Sequence, residues 1–400
     1  MVIVATEMTK TLENLVQAEL PEAKKWFEHL HAHPELSFKE FETTKYIKDI
    51  LESLGNIEIL QPCETGLIGV LKGAQDGPSI GLRADIDALN LNEETDVPYK
   101  SQNKDVMHAC GHDMHTANLL AAAKILSGLQ DQIKGSVYFI FQAAEEEHPG
   151  GALAIIDSGV LDGLKYIFGQ HIIPAFPTGH IAFKTGTMLG ASDRFALTIK
   201  GKGGHAAMPN LAVDPVIIAA EIIMALQTIV SRKTNQLSNP IISVTMLNTP
   251  PGADNIIPDT IQMTASVRNL DSEVREETVK WLEKLTKGIA EAHGATCDFN
   301  YKYGYDPLVN DAAPNEIAIQ AAHEFLDPNK IIIMKDPILA GEDFGYFGRV
   351  SEISFFAIGC GDAAKGTNVS PHSPKYKADI DAMYYGIMMH LQVISDLLIK

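Results

Sequence analysis

Positive charge is scarce in this sequence. The 400 residues carry 32 Lys and Arg against 51 Asp and Glu, a formal net charge of −19. A surface that binds nucleic acid needs clustered cations to displace counterions. The densest basic group is Ser231-Arg232-Lys233, so nucleic acid is excluded as a partner and the acidity reads as a solubility feature. Cysteine is also sparse. Cys63, Cys110, Cys297 and Cys360 stand far apart and form no CxxC pair. A disulfide scaffold is therefore not expected, and the thiols read as reduced. Long apolar runs are missing: the longest, 216–226, is broken by Glu221 and is about half of what a bilayer span requires. The apolar start at 1–5 turns polar too soon for a signal-peptide core. No 20–50-residue repeat of the solenoid kind is visible. Together these readings predict a cytoplasmic protein with no membrane segment.

What is present is the composition of an ordinary folded protein, 46% apolar and 21% charged. The length exceeds what one compact core organises, so two domains are expected. Helical patterns over 11–33 and 38–55 precede strand-like runs at "GLIGVLKG" and "SIGLRADIDAL". Further apolar strands, "GSVYFIFQ" and "KYIFGQHI", alternate with helices. This order predicts an α/β domain with a mostly parallel sheet and helices on both faces. From about 190 the order becomes βαββαβ, the split pattern of a small ferredoxin-like sandwich, and after 305 the α/β alternation resumes. The expected division is 1–189 with 305–400, and an inserted domain at 190–304.

Ligands of open parallel sheets collect outside the carboxyl ends of the strands. Polar clusters fall at such places: Asp85 and Asp87 in "RADIDAL", then "HACGHDMHTA", "AAEEEH", "GQHI" and "SPHSPKY". Taken singly, each has a bland reading. A lone histidine is usually a core or surface residue, and an acid run is usually a solvated face. Here the glutamates follow a buried strand, and Cys, His and Glu recur at several strand ends that the fold brings together. Thiolate, imidazole and carboxylate suit a divalent ion such as Zn, Mn, Co or Ni. Adjacent glutamates at a strand end point in different directions. One can ligate while the other acts as general base toward water, the division that amide hydrolysis needs. Within 108–117, three histidines, a cysteine and an aspartate compete for these roles.

The motifs "HAHPELSFKEFETT", "RADIDAL", "MHACGHDMHTA", "FQAAEE", "KGKGGHAAMP", "NIIPD", "GEDFGYF" and "HSPKY" occur in this order along nearly the whole chain. In them the sequence resembles the aminoacylase and carboxypeptidase G superfamily of dinuclear metallohydrolases. The closer likeness is to its amidohydrolase branch of hippurate hydrolases, N-acyl-amino-acid amidohydrolases, indole-acetyl-amino-acid hydrolases and N-acetyldiaminopimelate deacetylases. The resemblance implies that Cys110, His112, Glu146, His171 and His372 hold two divalent ions and that Glu145 is the general base. It implies that Asp87 and Asp113 orient ligands and that His205 stabilises an oxyanion. Asn255 and Arg268 fall where relatives meet the substrate carboxylate. The inserted domain corresponds to the family's lid and dimerisation domain, which implies a homodimer or a higher oligomer. The expected reaction is metal-dependent cleavage of an N-acyl-L-amino acid to a carboxylic acid and a free amino acid. A dipeptidase or carboxypeptidase of the same fold, or an N-acetyldiaminopimelate deacetylase, is the alternative.

Of the remaining polar residues, His115 is expected near the site as a wall or hydrogen-bonding group, His108 as a loop brace, Arg83 as a strand-end brace and His31 as structural. Departures from the family pattern, Glu147 in "QAAEEEH", Phe27-Glu28 and Asn90 in "DALNL", touch no proposed ligand but bear on substrate choice.

Overall fold

A computed structural model describes residues 7–235, 238 and 240–400. The reading of the first residues as too short for a signal peptide rests on positions outside the described ones. The chain divides into two compact units, Met1–Met188 with Val309–Asp336 and Asp343–Lys400, and Leu189–Leu308 with Pro337–Glu342. The return therefore falls at Val309 rather than 305. Pro337–Glu342, expected in the larger unit, groups with the smaller one. The reason is local: the Gly190 amide donates to the Ile338 carbonyl at 3.0 Å.

The larger unit begins with helices α1 (Glu7–Ala32) and α2 (Phe41–Ser53). Strands β1 (Ile57–Leu60), β2 (Leu67–Lys72) and β3 (Gln75–Asp85) follow, then α3 (His112–Ser127), β4 (Lys134–Gln142), α4 (Ala152–Asp157), β5 (Leu164–Pro177) and β6 (Ile181–Phe183). Nearly every side chain of α3 is buried, as expected of a helix with apolar residues on all faces that packs inside a layer of helices.

The smaller unit runs β7 (Ala191–Lys200), α5 (Pro215–Thr228), β8 (Ile241–Asn248), β9 (Thr260–Asn269), α6 (Ser272–Ala292) and β10 (Thr296–Lys302). Its sheet order is β8-β9-β7-β10, antiparallel throughout. Alternate residues Phe195, Leu197 and Ile199 of β7 and Ile261, Met263 and Ala265 of β9 form its core with Ile218, Ile222 and Leu226 of α5 and Leu282 of α6. Asp214 caps α5 through the Val216 amide, with Pro215 in the first turn. Asp271 caps α6, accepting from the amides of Glu273 and Val274. The continuous helix Pro215–Lys233 and the terminal Ala382–Ile399 are both long and apolar enough to cross a bilayer. The apolar-run count missed this because the helices tolerate interrupting polar residues. The second is mostly buried in the larger unit, whereas the first buries only one face.

The larger unit is completed by α7 (Ala312–His323), β11 (Ile331–Ile333), β12 (Glu352–Gly361) and α8 (Ala382–Ile394). Its sheet order is β1-β2-β4-β3-β5-β12-β6-β11. The central strands β4, β3, β5 and β12 are parallel, and the joins β1–β2, β2–β4 and β12–β6 are antiparallel. Even-numbered residues of β5 and β12, such as Phe168 and Phe356, join the core with α1, α3, α7 and α8. Odd-numbered residues face the other way. There Gly169 and Phe355 meet Phe344 of the 3-10 turn Asp343–Arg349. The long helices thus gather on one face, and a short turn contributes to covering the other.

Candidate metal centre

The carboxyl ends of β3, β4 and β5 bring the polar motifs into register, with Asp85 opposite Gln142 and Arg83 opposite both Ile140 and Gly169. Gly111 precedes α3 with φ 95. A Cβ there would lie 2.4 Å from Ile172 Cδ1, so only glycine lets the loop carrying Cys110 close onto β5. His112 opens the helix, fully buried. Its Nδ1 lies 3.0 Å from the Asp87 carbonyl and 3.1 Å from Asp87 Oδ1. These acceptors favour a proton on Nδ1 and aim Nε2 inward, where it can ligate once it gives up its own proton. That atom is buried without a hydrogen-bond partner.

His171 is oriented in the same way. Its Nδ1 donates to the Ile172 carbonyl at 2.7 Å, leaving Nε2 3.3 Å from Cys110 Sγ. Burial, reinforced by His115, lowers its pKa to about 3, so the ring is neutral and ready to ligate. Burial and the Glu146 carboxylate hold the Cys110 thiol above its usual range; a divalent ion reverses that balance. Burial opposes charge on His112, but the Asp85 carboxylate outweighs it and raises its pKa. The surroundings thus favour positive charge at this point.

The glutamates arrive differently from the strand-end expectation. β4 stops at Gln142, and Ala144 takes a left-handed conformation with φ 54. This bend brings both following side chains to one place. Glu145 Oε2 and Glu146 Oε1 each lie 4.0 Å from His112 Nε2. His372 reaches the same point from the loop after β12, its Nε2 3.1 Å from Glu146 Oε1. Its amide donates to the Ala109 carbonyl at 2.8 Å, which ties that loop beside Cys110. Glu147 points into solvent.

The donors form overlapping groups, Cys110–His112–His171, Cys110–Glu146–His372 and His112–Glu145–Glu146, with ligand atoms in each group within 4.8 Å of one another. Soft sulfur, two imidazoles with Nε2 aimed inward and carboxylates fit a pair of divalent ions. Asp85, His112 and His115 are equally close, but two of them are already committed. Asp85 lies 2.6 Å from His115 Nδ1 and accepts from Arg83 at 2.7 Å, while His115 Nε2 accepts the Ile172 amide. His115 is therefore a hydrogen-bonding wall. Arg83 does more than brace a strand end, since it also bonds Gln142 and Asp343 while fully buried.

Asp87 contacts two of the expected ligands directly, through the His112 ring and the Glu146 amide. Asp113 does not. Its Oδ2 lies 2.6 Å from His31 Nδ1 and its Oδ1 accepts the Met114 amide. Consecutive helical side chains diverge by about 100°, so Asp113 turns toward α1 when His112 turns toward the cluster. His31 is held between Asp113 and Glu93. His108 is buried with neither ring nitrogen hydrogen-bonded, so it braces the loop by packing alone. The sequence reading missed Glu93 and the pairing of Asp85 with His115. Their partners lie 62 and 30 residues away, and no local spacing signals them.

In the smaller unit, His205 is exposed on a short strand paired with Ile256–Ile257, and its Nδ1 accepts the Ala207 amide at 3.1 Å. His205 and Asn255 line a cleft of about 930 Å³ with Gly203, Pro250 and Ile256. Arg268 lies elsewhere on that unit, on β9 between Ile241 and Ser192, and donates to the Ser192 hydroxyl.

Comparison with known proteins agrees with the motifs. Residues 81–396 match the model of peptidase family M20/M25/M40. The chain is 42% identical over 304 residues to an N-acyl-L-amino acid amidohydrolase of Geobacillus stearothermophilus, covering 76% of this chain and 82% of that protein. It is 43% identical over 322 residues to an N-acetyl-L-cysteine deacetylase of Bacillus subtilis, covering 80% and 76%. A dinuclear metal-binding peptidase of the M20 family from Bacillus subtilis superposes with a TM-score of 0.81 at 33% identity, covering 94% of this chain and 98% of the other. This chain belongs to peptidase family M20/M25/M40 and is, by that membership, a hydrolase of amide bonds.

Proposed function

We propose that this protein hydrolyses N-acyl-L-amino acids to a carboxylic acid and a free amino acid, in the cytoplasm, with two divalent ions. The observation that carries the reading is the paired approach of Glu145 and Glu146 to His112 Nε2, in a chain whose relatives include an N-acyl-L-amino acid amidohydrolase. Cys110, His112, Glu146, His171 and His372 would hold the ions, drawn from Zn, Mn, Co or Ni. When bound, the ions supply Lewis acidity and make water a nucleophile near neutral pH. Glu145 takes the proton of the attacking water and returns it to the leaving nitrogen. Asp87 keeps His112 in the tautomer that presents Nε2. His205 is assigned to the developing oxyanion, and Asn255 and Arg268 to the substrate carboxylate. A structural metal site has no use for a second carboxylate beside a ligand.

The smaller unit is proposed as the lid and as the surface of a homodimer. Supporting this, β8 is a sheet edge with Ile241, Met246 and Leu247 exposed, and α5 exposes Ile217 and Met224. Light scattering on the wild type and on Met224→Glu tests it: a monomeric wild type removes the dimer. For the compartment, the support is that all four cysteines are free.

The deciding experiment is a substrate panel after reconstitution with Zn, Mn, Co or Ni. Acetyl, benzoyl and indole-acetyl amino acids are expected to turn over faster than dipeptides. Preference for dipeptides would make the protein a dipeptidase or carboxypeptidase. Turnover of N-acetyldiaminopimelate alone would make it that deacetylase. A fully metallated protein that cleaves none of them defeats the proposal.

A further inference from the structure

We propose that Glu40, acting through the amide of Ala144, is a positioning residue for the Glu145–Glu146 pair; this rests on the roles proposed above for those two side chains. Glu40 is fully buried at the start of α2 and takes no part in the proposed chemistry. Its Oε1 accepts the Ala144 amide at 2.8 Å across 104 residues of sequence. Ala144 is a non-glycine residue with φ 54. Such a conformation persists only where its surroundings hold it. It is also the bend that sends Glu145 and Glu146 toward His112.

The end of α2 that carries Glu40 is itself anchored. The Glu40 carbonyl accepts the Thr44 amide at 2.9 Å. The Thr44 hydroxyl accepts the Gly66 amide at 2.8 Å. Gly66 abuts the end of β4, where a Cβ would sit 2.7 Å from the Phe141 carbonyl oxygen. The far side of the 143–152 loop has a matching tether: Asp343 accepts the Ala152 amide at 3.1 Å and the Gln142 side chain at 2.7 Å. Two carboxylates from distant segments therefore clamp the loop on either side of the glutamate pair. Burial and the neighbouring Asp87 raise the pKa of Glu40 to about 7. What the Ala144 amide requires is an acceptor at the right reach, not a full charge.

Glu40→Gln keeps an acceptor oxygen at the same reach and removes the charge. Glu40→Asp keeps the charge and withdraws the oxygen by one methylene. The full-length apoprotein is titrated with Zn²⁺ alone by calorimetry, and kcat and KM are measured separately on the reconstituted enzyme. E40Q is expected to stay within about threefold of wild type in both, whereas E40D binds Zn²⁺ about tenfold more weakly, a loss typical of outer supports of metal ligands. In E40D, kcat falls while KM holds, because substrate-binding groups are untouched. E40D within about threefold of wild type, or E40Q falling as far as E40D, overturns the proposal. Hydrogen exchange on the wild-type chain tests it without a variant. The Ala144 amide should be protected like those of β4, and exchange at open-loop rates overturns the proposal too. Zn²⁺ binding without turnover of any acyl-amino acid would defeat the proposed function and leave Glu40 standing. An active wild type with an indifferent E40D would do the reverse.

Discussion

Asp87 lies with Oδ1 3.1 Å from His112 Nδ1, while its Oδ2 accepts the Glu146 amide at 2.9 Å and the Ser37 hydroxyl at 2.7 Å. One carboxylate therefore sets the His112 tautomer and the place of the Glu146 backbone together. Asp87→Ala is expected to weaken metal affinity by about 10- to 100-fold. Metal content after dialysis against a graded chelator measures it; unchanged retention would remove the orienting role.

Glu145 and Glu146 are neighbours of identical chemistry with different proposed duties. Glu145→Gln should retain metal and lose about 100-fold or more in kcat. Glu146→Gln should lose metal itself. Paired metal analysis and turnover on both variants decide the matter. Equal metal loss in the two would contradict the division of labour.

Arg83 is fully buried and joins Asp85 at 2.7 Å, Asp343 at 3.0 Å and Gln142 at 2.9 Å. Arg83→Met leaves two buried carboxylates without their cation. The expected loss of stability is about 3–5 kcal/mol, read from urea unfolding. A loss below about 1 kcal/mol would mean that water or a proton compensates the carboxylates.

Burial alone would lower the pKa of His31, but hydrogen bonds to Asp113 and Glu93 reverse this and hold it at about 9. The folded value stands above the ordinary one near 6.5. The imidazolium therefore contributes its full stabilisation below about pH 6.5 and loses it as pH rises through about 9, on the order of 3 kcal/mol. Urea midpoints of the wild type should fall relative to those of His31→Gln between these pH values. Parallel curves for the two proteins would falsify the charged pair.

Much of the site could be read from residue types alone. A cysteine, histidines and paired glutamates close to strand ends point to a metal centre because few other uses explain that mixture. The elements that carry them were also readable, since apolar strands alternate with helices from 67 to 183. Among the expectations that failed, two did so for plainly local reasons. Asp113 follows His112 in a helix and so must face elsewhere, and Pro337–Glu342 pairs through Ile338 with Gly190.

By itself the sequence determined which atoms are available: a thiol, imidazoles and carboxylates, placed by a hydrophobic pattern where parallel strands end. Only the tertiary structure decided which of them are free to bind. His115 and Asp85 satisfy each other, Asp113 serves His31, and Ala144 turns on a carboxylate 104 residues away. Hydrogen bonds are satisfied in space rather than along the chain. A donor's remaining capacity is known only once its distant partners have been packed against it.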